Sequence, residues 1–184
     1  MPKLARYLLP LLLPLLLAAC SGTRGPQLTP VGVAIPEGVT FEGRWQLRDT
    51  AGESGAHSDT VPLVGGRKSR REKDSPSVQV FLETGSNLKV SQTSHGLFIS
   101  FDRSVVEEYR FREHRGVNVG PIAAERVSGW EDGRYVIQTV DAVGALLTET
   151  YSLRDNGQQL VRTATIVYKE QETLSLRQVF DRLE

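Results

Sequence analysis

The sequence predicts an all-β domain, an antiparallel meander that closes or curls strongly into a small β-barrel. Apolar residues alternate with polar ones at the period of strands, as Leu88 and Val90 do around Lys89. Turn sequences such as "TGSN" at 84, "EDG" at 131 and "DNG" at 155 recur about every dozen residues. No long segment repeats apolar residues at helical spacing, although "SVVEEYRFREH" is compatible with one or two helical turns. Short strands joined by tight turns are typical of a meander barrel, whose closure removes exposed edges.

Residues 1–19 have the composition of a secretory signal peptide. The apolar stretch 8–19 follows the basic side chains Lys3 and Arg6 and contains two prolines. It is also shorter than the roughly 20 residues of a transmembrane helix. We therefore expect an export signal rather than a membrane span or a part of the core.

The end of this stretch carries a more specific pattern. The sequence "LAAC" at 17–20 resembles the lipobox of bacterial lipoproteins, in which the signal is cut before the cysteine and the thiol is diacylated. The resemblance implies a lipidated Cys20 and, with Ser21 beside it, transport to the outer membrane, facing the periplasm. Two or more acyl chains anchor a protein stably where one does not. The alternative is an ordinary secretory signal in which Cys20 has no special role.

The rest of the chain divides into a tether and one domain. Residues 20–39 are rich in glycine and proline and predict a flexible tether, and residues 40–184 have the length of a single β-barrel domain. Cys20 is the only cysteine, so its lipidation would leave none for a disulfide. Without residues 1–19, 20 of the 22 basic side chains remain against 22 acidic ones, a formal charge of −2. This balance gives no global electrostatic argument for nucleic-acid binding.

The first strand is predicted in "FEGRWQL" at 41–47. Further strands follow from the alternation of apolar residues and from the turn sequences between them. They are expected within 78–82, 88–90, 97–101, 109–111, 135–139, 147–153, 160–168 and 174–180.

One hairpin can be predicted to the level of residue pairs. If Asn156 and Gly157 form a type I′ turn, Asp155 faces Gln158 and the register of both strands is fixed. The inward pairs are then Leu153 with Leu160, Tyr151 with Arg162, Glu149 with Ala164, and Leu147 with Ile166. The outward set, suited to a solvated exterior, is Thr148, Thr150, Ser152, Val161, Thr163, Thr165 and Val167.

This register places two charged side chains on the inner face. Glu149 and Arg162 are expected as diagonal neighbours beside Tyr151, where a dry core should not hold charges unless they are paired. The three residues are therefore candidate polar anchors for a ligand inside the barrel. The alternative is that both charges lie near the barrel rim, paired or reaching water.

The first strand carries a resemblance to a known superfamily. Gly43 and Trp45 in "GRW" are similar to the glycine and tryptophan that open the first strand of lipocalins and related calycin barrels. In that superfamily an arginine of the last strand packs across the tryptophan, which implies Arg177 as its partner here. The region from "GRWQL" to "RTATI" also resembles uncharacterised bacterial exported domains with a calycin-like barrel. That resemblance brings no reaction with it.

Motifs for catalysis, metals and cofactors were not found. "GESGA" lacks the spacing of a nucleophile elbow, and His57, His95 and His114 are too far apart for a zinc pair. No catalytic residue, metal ligand or cofactor is predicted, and we expect a protein that is not an enzyme.

The most charged segment, "GGRKSRREKDSPS" at 65–77, predicts an exposed loop. Near an anionic membrane each cation contributes about 1 kcal/mol, so the loop is a candidate contact with anionic headgroups. The alternative is a solvated loop without a partner. The candidate residues are Arg67, Lys68, Arg70 and Arg71.

Two classes of function are compatible with these features. In the first, the barrel binds a small apolar or amphipathic ligand inside it or at its mouth, near the membrane. In the second, the barrel is filled, and the protein is a structural or interaction factor of the cell envelope that acts through its outer surface. Barrel architecture alone does not decide between them, because one fold hosts many functions.

Overall fold

In the computed structural model, which describes residues 28–29, 31–54 and 76–183, ten antiparallel strands form one sheet curled into a near-barrel. The predicted fold class is therefore confirmed. The strands are β1 (Gly43–Ser54), β2 (Asn87–Gln92), β3 (Gly96–Phe101), β4 (Val105–Arg110), β5 (Arg115–Val119), β6 (Ile122–Glu131), β7 (Arg134–Asp141), β8 (Leu146–Arg154), β9 (Gln159–Tyr168) and β10 (Gln171–Leu183).

The sheet is a meander whose first and last strands meet. Its order is β4-β3-β2-β1-β10-β9-β8-β7-β6-β5, so that the first strand, β1, pairs with the last strand, β10. Among the described residues no ladder pairs the edge strands β4 and β5. Beyond the end of β4, Phe111 bridges Ser128 of β6, and the Arg112 amide donates to the Ser128 carbonyl at 2.6 Å. The wall is thus continuous except along the β4–β5 edge.

The β8–β9 hairpin has the predicted register. All four inward pairs occur as expected, and the Gln158 amide donates to the Asp155 carbonyl at 2.9 Å. Asn156 and Gly157 have φ values of 51° and 85°, the left-handed backbone that a type I′ turn requires. The solvated outer face was predicted incorrectly at Val161, which is only 3% exposed.

The strand predicted at 78–82 is wrong. Val78–Phe81 is a 3-10 helix, here called the cap helix, in the connection between β1 and β2. The alternation of Val78 and Val80 suggested a strand, but helical spacing instead brings Val78 and Phe81 to one buried side and leaves Val80 41% exposed. Capping by a distant carboxylate, described below, stabilises this helix.

The sequence analysis also missed two strands, β5 and β6. The inward positions of β6 are Ala124, Arg126, Ser128 and Trp130, and two of these are polar. An inward row of small and polar side chains hides the alternation that marks a strand with one buried face. Segment 104–114, which was compatible with one or two helical turns, contains strand β4.

The interior contains two apolar clusters separated by a polar layer. The polar layer consists of five buried side chains, Arg126, Thr139, Glu149, Arg162 and Gln178. The cap cluster consists of Val78, Phe81, Ala124, Ala145, Leu147, Ala164 and Ile166. The aromatic cluster consists of Phe41, Trp45, Leu88, Val90, Leu97, Ile99, Phe101, Tyr109, Trp130, Tyr135, Ile137, Tyr151, Leu160 and Phe180.

Part of the segment predicted as a tether contacts the barrel. Val31 is 5% exposed, and Gly32 pairs with Trp130 through two backbone hydrogen bonds of 2.9 Å. Ile35 and Val39 of the same segment pack against the aromatic cluster. Residues 20–27, including the predicted lipidation site Cys20, lie outside the described residues. None of the helices in the described ranges is long and apolar enough to cross a bilayer.

Candidate functional site

The predicted charged pair lies in the middle of the barrel. Glu149 of β8 and Arg162 of β9 both point inward, and their side chains are each 1% exposed. Arg162 Nε donates to Glu149 Oε2 at 3.0 Å, and Arg162 Nη2 donates to the same oxygen. The rim position considered from the sequence is therefore wrong, because both groups are enclosed by protein.

The Arg162 guanidinium makes a further hydrogen bond and two aromatic contacts. Its Nη1 donates to Gln178 Oε1 of β10 at 3.1 Å. Its central carbon lies 5.3 Å from the Phe101 ring centroid and 5.6 Å from that of Tyr151. Aromatic faces stabilise a desolvated cation, so the guanidinium is held on its edges by oxygens and flanked by two aromatic rings.

Tyr151 completes this arrangement. Its hydroxyl donates to Glu149 Oε2 over a long 3.4 Å, and the ring is fully enclosed. Burial raises the pKa of the Tyr151 phenol well above its ordinary value, and the neighbouring Glu149 charge also acts to raise it. Tyr151 is therefore a neutral hydrogen-bond donor at physiological pH.

One carboxylate oxygen has no partner. All the donors described above converge on Oε2, whereas Glu149 Oε1 is buried without a hydrogen bond from any described residue. An arginine fork commonly engages both oxygens of a carboxylate. A buried acceptor left unpaired costs about 1–3 kcal/mol. Glu149 Oε1 is therefore an open acceptor inside the barrel.

A second ion pair, which the sequence analysis did not predict, joins β4 to β6. Arg126 Nη1 donates to Glu107 Oε2 at 2.8 Å, and Arg126 Nε donates to Thr139 Oγ1 at 3.0 Å. The guanidinium lies 5.4 Å from the Tyr109 ring centroid and 5.9 Å from that of Phe81. The Arg126 side chain is 5% exposed, but that of Glu107 is 30% exposed. This pair therefore lies between the interior and solvent.

A third carboxylate faces the same charges. Glu83 follows the cap helix and is partly buried. Burial raises its pKa, and the negative charges of Glu107 and Glu149 raise it further, against the opposing effect of Arg126 and Arg162. The Glu83 carboxyl therefore keeps its proton to a higher pH than an ordinary glutamate.

The cap helix closes one end of the barrel. Val78 and Phe81 are 0% and 3% exposed and pack on small wall residues of the cap cluster, such as Ala164. Asp141 Oδ2 accepts from the amides of Ser77 at 2.7 Å and Val78 at 3.0 Å. The apolar filling at this end therefore comes partly from a connecting segment rather than from the wall.

The prediction that Arg177 packs on Trp45 is wrong, because a different arginine of the last strand does so. Arg182, directly opposite Trp45 on β10, lies 4.1 Å from the indole ring centroid. Arg177 differs from Arg182 by an odd number of positions, so it belongs to the opposite face of β10 and pairs with Ala51. Arg182 also donates to the carbonyls of Gly157 at 2.8 Å and Glu42. The last strand does supply the arginine that covers the tryptophan.

The remaining candidates from the sequence do not join this site. The basic residues Arg67, Lys68, Arg70 and Arg71 and His57 lie outside the described residues. In the described part of the chain, no cluster of three His, Cys, Asp or Glu side chains could hold a metal ion. A cavity of about 390 Å³ has a mixed lining of charged residues, such as Arg44 and Lys89, and apolar ones, such as Trp45 and Leu88.

Comparisons with known proteins found structural likeness only. No protein-family model matches the chain, and no curated protein matches it. Secretory abundant heat soluble protein 4 from Ramazzottius varieornatus is 13% identical, with a TM-score of 0.49 over 78% of this chain and 94% of that one. Lipid binding protein 8 from Caenorhabditis elegans is 13% identical, with a TM-score of 0.47 over 78% and 95%.

Fatty-acid-binding protein 1 from Echinococcus granulosus is 12% identical, with a TM-score of 0.47 over 78% of this chain and 98% of that one. Likeness at this level carries no argument about family or ligand.

Proposed function

We propose that this protein is a membrane-anchored binding module of the bacterial cell envelope that holds a small amphipathic ligand inside its barrel. In this proposal the polar end of the ligand lies at Glu149, Tyr151 and Arg162, and its apolar tail lies in the cap cluster. No chemical step is assigned to the protein.

The open acceptor at Glu149 is the observation that carries the proposal. A polar layer enclosed by two apolar clusters can orient a molecule with one polar and one apolar part, because each part meets matching surroundings. Glu149 Oε1 is a buried acceptor of this layer that has no hydrogen bond from any described residue. It is therefore a position where a polar group of a ligand can bind.

Room for the tail requires the cap helix to move. Val78 and Phe81 occupy the space above the small wall residues Ala124 and Ala164. A tail that replaces these two side chains would bury its own apolar surface against the same wall, at about 25 cal/mol per Å². The cap helix would then be displaced when the ligand enters.

Removal of the Phe81 ring tests this proposal. Phe81→Ala should strengthen binding of the uncharged dye N-phenyl-1-naphthylamine several-fold, because it removes the competitor for the tail site. Val80→Ala, on the exposed side of the same helix, is the matched control and should change nothing. Binding that is absent from both variants and from the wild type would refute an interior ligand site.

The anchor belongs to the same proposal and is supported by the lipobox-like sequence at 17–20. Acyl chains on Cys20 would hold the barrel at the outer membrane, facing the periplasm, and the cations at 67–71 would contact anionic headgroups. Intact-mass analysis of the exported protein should find an acylated Cys20. A free thiol at that position would refute the anchor and leave the barrel site untouched.

A filled barrel that acts through its outer surface is the second candidate. It is favoured by the burial of the inward side chains and by the mutual neutralisation of Glu149 and Arg162. Under this function the dye would not bind, and Phe81→Ala would only weaken the fold.

A further inference from the structure

We infer that the polar group recognised at Glu149 is a hydrogen-bond donor, such as the hydroxyl of an alcohol or a protonated amine, and not a carboxylate. This inference rests on the proposed function, because it names the chemistry of the ligand bound at the same site. The hydrogen bonds, the charges and the aromatic contacts of the polar layer support it independently.

Glu149 Oε1 is an acceptor without a partner, enclosed in a side chain that is 1% exposed. An ionised carboxylate only accepts hydrogen bonds, so its free oxygen can be satisfied only by a donor. A carboxylate headgroup would bring a second acceptor to an oxygen that already lacks a donor.

Arg162 is the group that would attract an anion. Its Nε and Nη2 donate to Glu149, its Nη1 donates to Gln178, and the rings of Phe101 and Tyr151 flank the guanidinium. An anion that binds this guanidinium would compete with Glu149 for the same cation. A carboxylate displaced in this way would remain buried without its counter-ion, which is strongly unfavourable.

The charges of the interior balance in pairs, Arg162 with Glu149 and Arg126 with Glu107. Neither pair leaves a net positive charge for an anionic headgroup.

A set of ligands with one chain length tests the inference on the full-length wild-type protein. Decan-1-ol, decylammonium, decanoate and decyl methyl ether share the same tail, but only the first two carry a donor. Dissociation constants would be measured by displacement of N-phenyl-1-naphthylamine below the aggregation concentration of each ligand. We expect the alcohol and the ammonium to bind about tenfold more tightly than the ether and decanoate.

Each other outcome has a distinct meaning. Decanoate binding as tightly as the alcohol or more tightly would overturn the donor assignment while leaving the binding function intact. Equal binding of all four would also overturn it, because Oε1 would then be satisfied by a water molecule. Binding of none of the four would refute the proposed function itself.

The variant Glu149→Gln provides a second test of the same assignment. The neutral amide removes the charge that compensates Arg162, so decanoate should gain affinity and decylammonium should lose it. The conservative Gln178→Glu variant should leave the order of preference unchanged or favour the ammonium further, because it adds negative charge beside Arg162. An unchanged preference in Glu149→Gln would contradict recognition at this carboxylate.

Discussion

The barrel contains two buried arginines with similar contacts in different surroundings. Arg162 and Arg126 each bind one carboxylate and one neutral side-chain oxygen, and each lies against two aromatic rings. They differ in the exposure of the carboxylate. The side chain of Glu149 is 1% exposed, whereas that of Glu107 is 30% exposed.

This difference separates a fixed ion pair from one that can open. If Arg126 swings away, Glu107 can be hydrated, because it already contacts solvent. Glu149 has no such access, so separation from Arg162 leaves a buried charge. The β4–β6 contact is also the side of the barrel where the edge strands are unpaired. We therefore expect a ligand to enter beside Arg126, and Arg162 to remain in place.

Replacement of Arg162 should have the largest effect on stability. Arg162→Met leaves Glu149 buried without its counter-ion, which should lower the free energy of unfolding by about 3–5 kcal/mol. Urea unfolding followed by tryptophan fluorescence measures this loss. The double variant Arg162→Met with Glu149→Leu should recover most of it, because no uncompensated charge remains. If the double variant is no more stable than the single one, charge burial is not the cause.

Arg182 extends the comparison to an arginine whose oxygen partners are carbonyls. Arg182→Ala removes the cation over Trp45 and three hydrogen bonds to backbone carbonyls, at an expected cost of about 2 kcal/mol. Arg177→Ala, on the opposite face of β10, is the matched control and should change the unfolding free energy by no more than about 0.5 kcal/mol. The opposite ranking of the two variants would restore Arg177 as the partner of Trp45.

Arg126→Met should cost less than Arg162→Met. The partner Glu107 can be hydrated, so we expect a loss of about 1–2 kcal/mol, mainly from packing against Phe81 and Tyr109. The same variant should speed association of the dye, because it opens the contact between β4 and β6. Stopped-flow fluorescence measures that rate. An unchanged rate would mean that ligands enter elsewhere.

The smallest expected effect concerns Glu83 and pH. Its pKa is raised in the folded protein by burial and by neighbouring carboxylates, so the folded state binds a proton more readily than the unfolded state. This contribution to stability is present below the ordinary pKa of 4.5 and is lost as pH rises through the raised value. The free energy of unfolding of Glu83→Gln, measured in urea relative to that of wild type, should therefore increase as the pH rises from 4 to 7. A constant difference across that range would show that Glu83 is not perturbed.

Much of the fold follows from local sequence, whereas part of the interior does not. The register of the β8–β9 hairpin followed from one Asn-Gly turn, and it placed Glu149, Tyr151 and Arg162 together on the inner face. Arg126 was missed because β6 has polar inward residues, so its alternation does not indicate which face is buried. If Trp130 is taken as inward-facing, counting back in steps of two places Arg126 on the same face, and this would have identified Arg126.

The remaining errors have a common cause in tertiary contacts. The cap helix forms where alternation favoured a strand, because Asp141, over 60 positions away, caps its amides. The arginine on Trp45 depends on the β1–β10 register, which includes a bulge between Leu47 and Asp49 and is not fixed by any tight turn between these strands. The sequence pattern therefore does not determine which segments pair when they are distant along the chain.

Native mass spectrometry of the wild-type protein, isolated from its own source and freed of detergent in the gas phase, tests the central claim most directly. The account predicts a non-covalent small molecule with an alkyl tail and a hydroxyl or amino group, released on collisional activation and absent from the Glu149→Leu, Arg162→Met double variant. Wild-type protein that carries no such molecule and takes none up from added decan-1-ol would contradict it.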